Sequence, residues 1–180
     1  MKRTIILLTL VMFAAATVAM AQPFEKKKWE VSTALSFTSI SQYGESTLTI
    51  LNIPVSVGYF AWRGLEIQPE IMLTKFKGSD AAFLVNLNGA YNFLMQKKFV
   101  PYVLAGLGLG NGFSYIGLVN GNSDVHSFAL NLGGGVKYLV GNAAAFHAEL
   151  RYTHYHFTET GIPSYNFNVF QLFTGISLFF

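Results

Sequence analysis

The residues best equipped for chemistry gather late in the chain, at Tyr152, His154 and His156. Alternate spacing puts all three on one face of an extended strand. An imidazole there can act as general base for a hydroxyl nucleophile, provided a third group, usually an acid, orients it. No Asp or Glu follows Glu159. The same spacing sends a second set the other way. Glu66 and Glu70, Glu149 and Arg151, and Lys137 all fall on the polar faces of their segments. Paired carboxylates do acid–base work where a cleft admits a substrate; in a closed interior they instead neutralise Arg and Lys, because a buried charge must be paired. Asp124 and His126 stand where a loop edge could hold a metal, but two ligands at that spacing are too few. Gly106, Gly108 and Gly110 open no helix and form no phosphate-binding loop. These residues assign no catalytic, cofactor-binding or metal site.

What positions the side chains is a series of eight segments, each alternating apolar with polar residues and each bounded by Gly, Asn, Ser, Asp or Lys clusters. The pattern predicts strands over Trp29–Ser39, Thr47–Phe60, Leu65–Phe76, Ala82–Phe93, Val100–Gly110, His126–Leu139, Phe146–Phe157 and Tyr165 to the terminus. The third is the clearest: Leu65, Ile67, Pro69, Ile71 and Leu73 alternate with Glu66, Gln68, Glu70, Met72 and Thr74. A period of two that strict is no amphipathic helix. In the fifth, Val103, Ala105, Leu107 and Leu109 face out, and the three glycines face in and leave room for bulky groups opposite. Gly133-Gly134-Gly135 lies inside the sixth and marks a bend or close packing.

The chain opens with Lys2 and Arg3, an apolar run from Ile5 to about Ala16, and Ala19-Met20-Ala21 ahead of Gln22. That order is the one a cleaved secretory signal peptide needs, and the run is too short to span a bilayer as a helix. The expectation is a signal peptide over residues 1–21 and one domain over residues 22–180. Without Lys2 and Arg3 the domain is close to neutral, and no basic patch suggests nucleic acid. It has no cysteine, hence neither a disulfide framework nor a thiolate metal site. Charged residues are only 12% and aromatics 16%, yet nothing after residue 21 approaches a spanning helix. The other way to satisfy every backbone group in lipid is a closed barrel. The fold predicted is therefore all-β: an eight-stranded, antiparallel, transmembrane up-and-down barrel. An even count puts both termini on one side, with turns near 61–64, 94–99 and 140–145 on that side and loops near 41–46, 77–81, 111–125 and 158–164 on the other. Trp29, Tyr59, Trp62, Phe93, Phe99, Tyr138, Phe146 and Phe180 then cluster at the terminal end, as interfacial aromatics do.

The final stretch, Leu172-Phe173-Thr174-Gly175-Ile176-Ser177-Leu178-Phe179-Phe180, resembles the closing strand of bacterial outer-membrane barrels. Val100-Pro101-Tyr102-Val103-Leu104-Ala105-Gly106-Leu107-Gly108 and Ala148-Glu149-Leu150-Arg151-Tyr152 are similar to stretches of small barrels of the OmpA/OmpX size class. The resemblance implies the outer membrane, contact with its lipid and lipopolysaccharide, recognition of Phe180 by the barrel-assembly machinery, and a monomer. It implies no nucleic-acid partner and no cofactor. The fold hosts unrelated functions, and the function expected is a structural or surface-interaction role. An eight-stranded barrel is just wide enough for side chains to fill it, so the lumen should be packed, with Arg151 held by Glu70 or Glu149. The alternative is an enzyme resembling the lipid A deacylases, barrels that carry a His-x-Ser-Asn motif near the same place. Here His154-Tyr155-His156-Phe157 lacks the serine and asparagine. Shifting the register to His156-Phe157-Thr158-Glu159 offers Thr158 as nucleophile.

Overall fold

An extended segment has no hydrogen bonds of its own, so each alternating stretch must pair sideways. The computed structural model describes residue 24 and residues 28–40, 48–76, 81–94, 98–111, 126–159 and 162–180. Eight strands supply that pairing to one another: β1 (Trp29–Ile40), β2 (Leu48–Trp62), β3 (Leu65–Phe76), β4 (Ala81–Asn92), β5 (Phe99–Asn111), β6 (His126–Leu139), β7 (Ala144–Glu159) and β8 (Ile162–Phe179). Each runs antiparallel to the next, and β8 returns to β1, so the sheet closes on itself. Closure removes both edges, which is what allows a β structure to sit in lipid. Among the described residues no helix is long and apolar enough to cross a membrane, and the apolar surface lies on the strands.

The alternation fixes which way every side chain points. On β3, Leu65, Ile67, Ile71 and Leu73 are exposed on the outside, whereas Glu66, Gln68, Glu70 and Thr74 are buried inside. Phe37 on β1 is 70% exposed and Glu66 is 0% exposed, the inverse of a water-soluble fold. The fifth strand follows its predicted faces. A Cβ added at Gly106 would lie 2.0 Å from Oδ1 of Asn88, and one at Gly108 would lie 2.0 Å from Oδ1 of Asn86. Those two asparagines are the bulky groups for which the glycines make room. Gly135 on β6 likewise marks close packing, since its Cβ would meet the Ala148 carbonyl at 2.3 Å and the Tyr102 ring at 2.8 Å.

Proline and glycine mark the irregularities. Pro54 cannot donate to the ladder, and the β1–β2 register runs from Thr33↔Val55 to Ser36↔Asn52 without a bridge at Pro54. The Thr33 hydroxyl donates to the Pro54 carbonyl there at 3.1 Å. At the β2–β3 turn Gly64 has φ of +80°, and its carbonyl accepts from the Asn92 amide at 2.7 Å. The predicted turn over 61–64 is shorter than expected because β2 continues to Trp62 past a register shift. The predicted loop over 158–164 needs a larger correction. Phe157 pairs with Tyr165 and Glu159 with Ile162, so backbone pairing consumes most of that segment. The hairpin absorbs Pro163 at a register shift, where a missing N–H does least harm. The expected signal peptide and most of the loops near 41–46, 77–81 and 111–125 lie outside the described residues.

Outward aromatics ring the end that carries the chain termini. Trp29 meets Tyr59 at 4.9 Å, Tyr91 meets Phe93 at 5.1 Å, and Phe99 meets Tyr138 at 4.8 Å between centroids. At the seam, β1 pairs with β8 from Glu30↔Phe179 to Leu35↔Thr174. Among the described residues this is the shortest ladder in the barrel; β7 and β8 pair from Ala144↔Leu178 out to Glu159↔Ile162.

Candidate functional site

Inward positions stack into layers, and the layer nearest the terminal end is ionic. Lys137 on β6 donates to Glu30 of β1 at 2.6 Å and to Glu66 of β3 at 3.2 Å, with all three side chains buried. Glu66 fits because residue 58 is glycine: an added Cβ would fall 1.7 Å from its Oε1. Phe24, ahead of β1, seals this layer from below. Its ring packs edge-on against Phe60 and Phe179, the Lys137 ammonium lies 5.6 Å from its centroid, and its carbonyl accepts from the Gly64 amide at 3.0 Å. Its φ of +69° is unusual for a residue with a side chain.

Above it sits a second ionic layer. Arg151 holds Glu70 through two bonds, Nη1 to Oε1 at 2.6 Å and Nη2 to Oε2 at 3.0 Å, and donates from Nε to Glu149 at 2.6 Å. The fork geometry matches a carboxylate and is the strongest form of this contact. Tyr102 donates to the other oxygen of Glu149 at 2.7 Å, and Asn86 to Glu70 at 2.8 Å. A polar chain continues upward: Asn131 donates to Asn86 at 3.0 Å, and Thr153 to Asn131 at 2.9 Å. Beyond this the lumen turns apolar, with Ile50, Met72, Leu84 and Phe157 in a cluster that reaches down to Phe173, whose ring lies 5.0 Å from the Arg151 guanidinium. A cavity of about 20 Å³ remains between the ionic layers, room for one water.

The sequence expectation named five inward charges and one anchor, Arg151 with Glu70 or Glu149. The structure brings all five inside but divides them. Arg151 holds both of those carboxylates, and Lys137 forms a separate centre with Glu66 and with Glu30, a sixth inward charge that the expectation did not name. Tyr102 and Phe24 were not singled out. The Tyr102 signal was its place four residues before the inward Gly106; Phe24 precedes the strand pattern and had none.

On the outside of the β7–β8 hairpin, the three residues of the first chemical signal come together with two that it missed. Nδ1 of His154 lies 2.6 Å from Oδ1 of Asn168, which also accepts from the Tyr152 hydroxyl at 2.9 Å. Nδ1 of His156 lies 2.8 Å from Oδ1 of Asn166. Thr158 is exposed on the same strand, and among the described residues no hydrogen bond joins it to His156. His126 faces out beside Thr158; Asp124 lies outside the described residues. No group of three His, Cys, Asp or Glu suited to a metal occurs among the described residues.

Apolar outer wall, closed sheet and filled lumen are the marks of one membrane architecture, and residues 5–176 match the outer membrane protein beta-barrel domain family. The chain belongs to that family. Its fold is similar to Neisserial surface protein A (NspA), with a TM-score of 0.63 and 19% identity over 84% of this chain and 96% of that one. It is also similar to the N-terminal β-barrel domain of Pseudomonas aeruginosa OprF, with a TM-score of 0.52, 20% identity, and 86% and 98% of the two chains covered. Pseudomonas aeruginosa OprG matches with a TM-score of 0.51 and 14% identity, over 89% of this chain and 99% of that one. No curated protein matches the chain in sequence. As an outer-membrane barrel it turns its exposed Leu, Ile, Val and Phe toward lipid, and the terminal-end aromatics form one interfacial girdle.

Proposed function

We propose that this outer-membrane barrel is non-conducting, with a structural or surface-interaction role exerted through its outer wall and loops. The observation that supports the reading best is the lumen: among the described residues each buried cation is held by two carboxylates from different strands, and the cavity between the two ionic layers admits about one water. On this reading residues 1–21 are a cleaved signal peptide, the terminal Phe180 serves the assembly machinery, and the mature barrel works as a monomer amid lipid and lipopolysaccharide. In planar bilayers the wild type should give no steady single-channel current. Large, steady openings would overturn the reading.

A second reading, a lipid A deacylase-like hydrolase, draws on the tethered imidazoles. Asn166 and Asn168 stand where an orienting acid was missing, and an amide can orient a base as a carboxylate does. Among the described residues no hydroxyl is hydrogen-bonded to either ring. Mass spectrometry of lipid A from cells with and without the protein separates the two: loss of an ester-linked acyl chain only in expressing cells would favour the enzyme.

A further inference from the structure

The outer wall carries a polar notch where its neighbours are greasy. On β7, Phe146 belongs to the terminal-end girdle, and His154 and His156 stand eight and ten positions above it. With about 3.4 Å per residue and a tilt near 40°, these lie about 21 and 26 Å up an apolar band about 25 Å tall. Beside them on β6 are Leu130 and Phe128, and β5 carries exposed Leu109 ten positions above Phe99. Apolar residues thus continue on β5 and β6 at heights where the β7–β8 hairpin presents His154, His156, Asn166 and Asn168.

These four side chains satisfy only half of their own hydrogen-bonding capacity. A carboxamide oxygen can only accept, so Nδ1 of each histidine carries a proton and donates it to asparagine. The Nε2 of each ring and the Nδ2 of each asparagine are left, and none has a protein partner among the described residues. At a lipid boundary an unpartnered polar atom is costly, which favours a ligand that supplies partners. The spacing says which kind. Same-face neighbours on a strand are about 6.8 Å apart, and asparagines at the matching spacing tether the two rings alike. One metal ion would need both Nε2 atoms within about 4 Å of each other. A hydroxylated, phosphorylated ring can span the wider gap. Among the described side chains the wall, which continues through Thr158 and Ser164, holds no carboxylate to repel a phosphate.

We propose that His154, His156, Asn166 and Asn168 form a binding site for the phosphosugar headgroup of an outer-leaflet glycolipid, the ligand's acyl chains lying against Tyr152 and Phe170 below. Sugar hydroxyls donate to the open Nε2 of each imidazole, and phosphate oxygens accept from the carboxamide Nδ2 hydrogens. Tyr152 and Phe170 meet at 5.0 Å between centroids, tilted 48° to one another, directly beneath the notch, and offer the chains an aromatic surface. The site rests on the surface-interaction reading above and gives it a ligand class.

The test uses the refolded full barrel in detergent with purified lipid A as probe, read by native mass spectrometry and by the imidazole nitrogen signals of His154 and His156. Wild type should retain lipid A and shift both Nε2 signals. The fourfold variant His154→Leu, His156→Leu, Asn166→Leu and Asn168→Leu should bind about 10- to 100-fold more weakly, as the loss of several hydrogen bonds requires. Asn166→Ala with Asn168→Ala, which keeps both rings but frees them, should weaken binding by a smaller factor and serves if the fourfold variant fails to fold. Retention equal to wild type in whichever variant folds would overturn the site. The deacylated, diphosphorylated glucosamine disaccharide should shift the same nitrogens, and inorganic phosphate at the same concentration should not. If phosphate alone matches the disaccharide, the headgroup assignment falls. A conducting lumen would sink the non-conducting reading without touching any of these results.

Discussion

β7 carries two polar constellations back to back, and they obey opposite rules. Glu149 and Arg151 point inward and have each been given protein partners, Glu70, Tyr102 and one another. His154 and His156 point outward, and each has one ring nitrogen tethered and the other left open. Inside, the charged groups line a cavity with room for about one water, so most of their pairing is built in by the protein. Outside, the environment itself can donate and accept, and half the capacity is left to it. The contrast separates side chains that hold the barrel together from side chains that are free to meet something else.

The sharpest way to break the contrast is to treat both sides alike. Arg151→Met should cost about 3–5 kcal/mol, because it strands Glu70 and Glu149 without a counter-charge. A lowered urea-unfolding midpoint in lipid or detergent is the expected outcome, and an unchanged midpoint would show that the lumen is not held by this pair. Gly58→Ala comes next: its methyl would occupy the place of the Glu66 carboxylate and push it off Lys137, for about 1–3 kcal/mol by the same measurement. A midpoint within error of wild type would mean that Glu66 has another resting place. The smallest effect belongs to the outer wall. His154→Leu with His156→Leu should leave the midpoint within about 1 kcal/mol of wild type, since both changes put apolar groups against lipid. A loss as large as that from Arg151→Met would erase the distinction.

Much of this architecture was open to reading from the sequence. A strict period of two on β3 has one physical meaning, and the inward glycines of β5 announced large neighbours before Asn86 and Asn88 were known to be those neighbours. Glu30 was open to the same alternation that turns Lys137 inward, but nothing in the sequence joins the two, since they stand 107 positions apart. The asparagine tethers could have been found. The predicted strand ends, Phe157 and Tyr165, do pair, and counting back from them sets Asn166 against His156 and Asn168 against His154. Each ring is held by an amide, where base chemistry more often uses an acid. Phe24 was beyond reach, because it lies outside any strand and its place depends on a closed barrel already present.

The seam has a consequence for how the barrel comes into being. Seven of the eight ladders join strands adjacent in sequence, so each can zip from its own turn outward. The eighth joins Leu35 to Thr174 across most of the chain. Relative to a hairpin of about 20 residues, closing a loop of that length costs about 2 kcal/mol more in chain entropy, and only a short run of bridges repays it. Contacts of that separation form late and slowly. The barrel's last act of folding is therefore the meeting of its first strand and its last, and until then both carry unpaired backbone into the membrane.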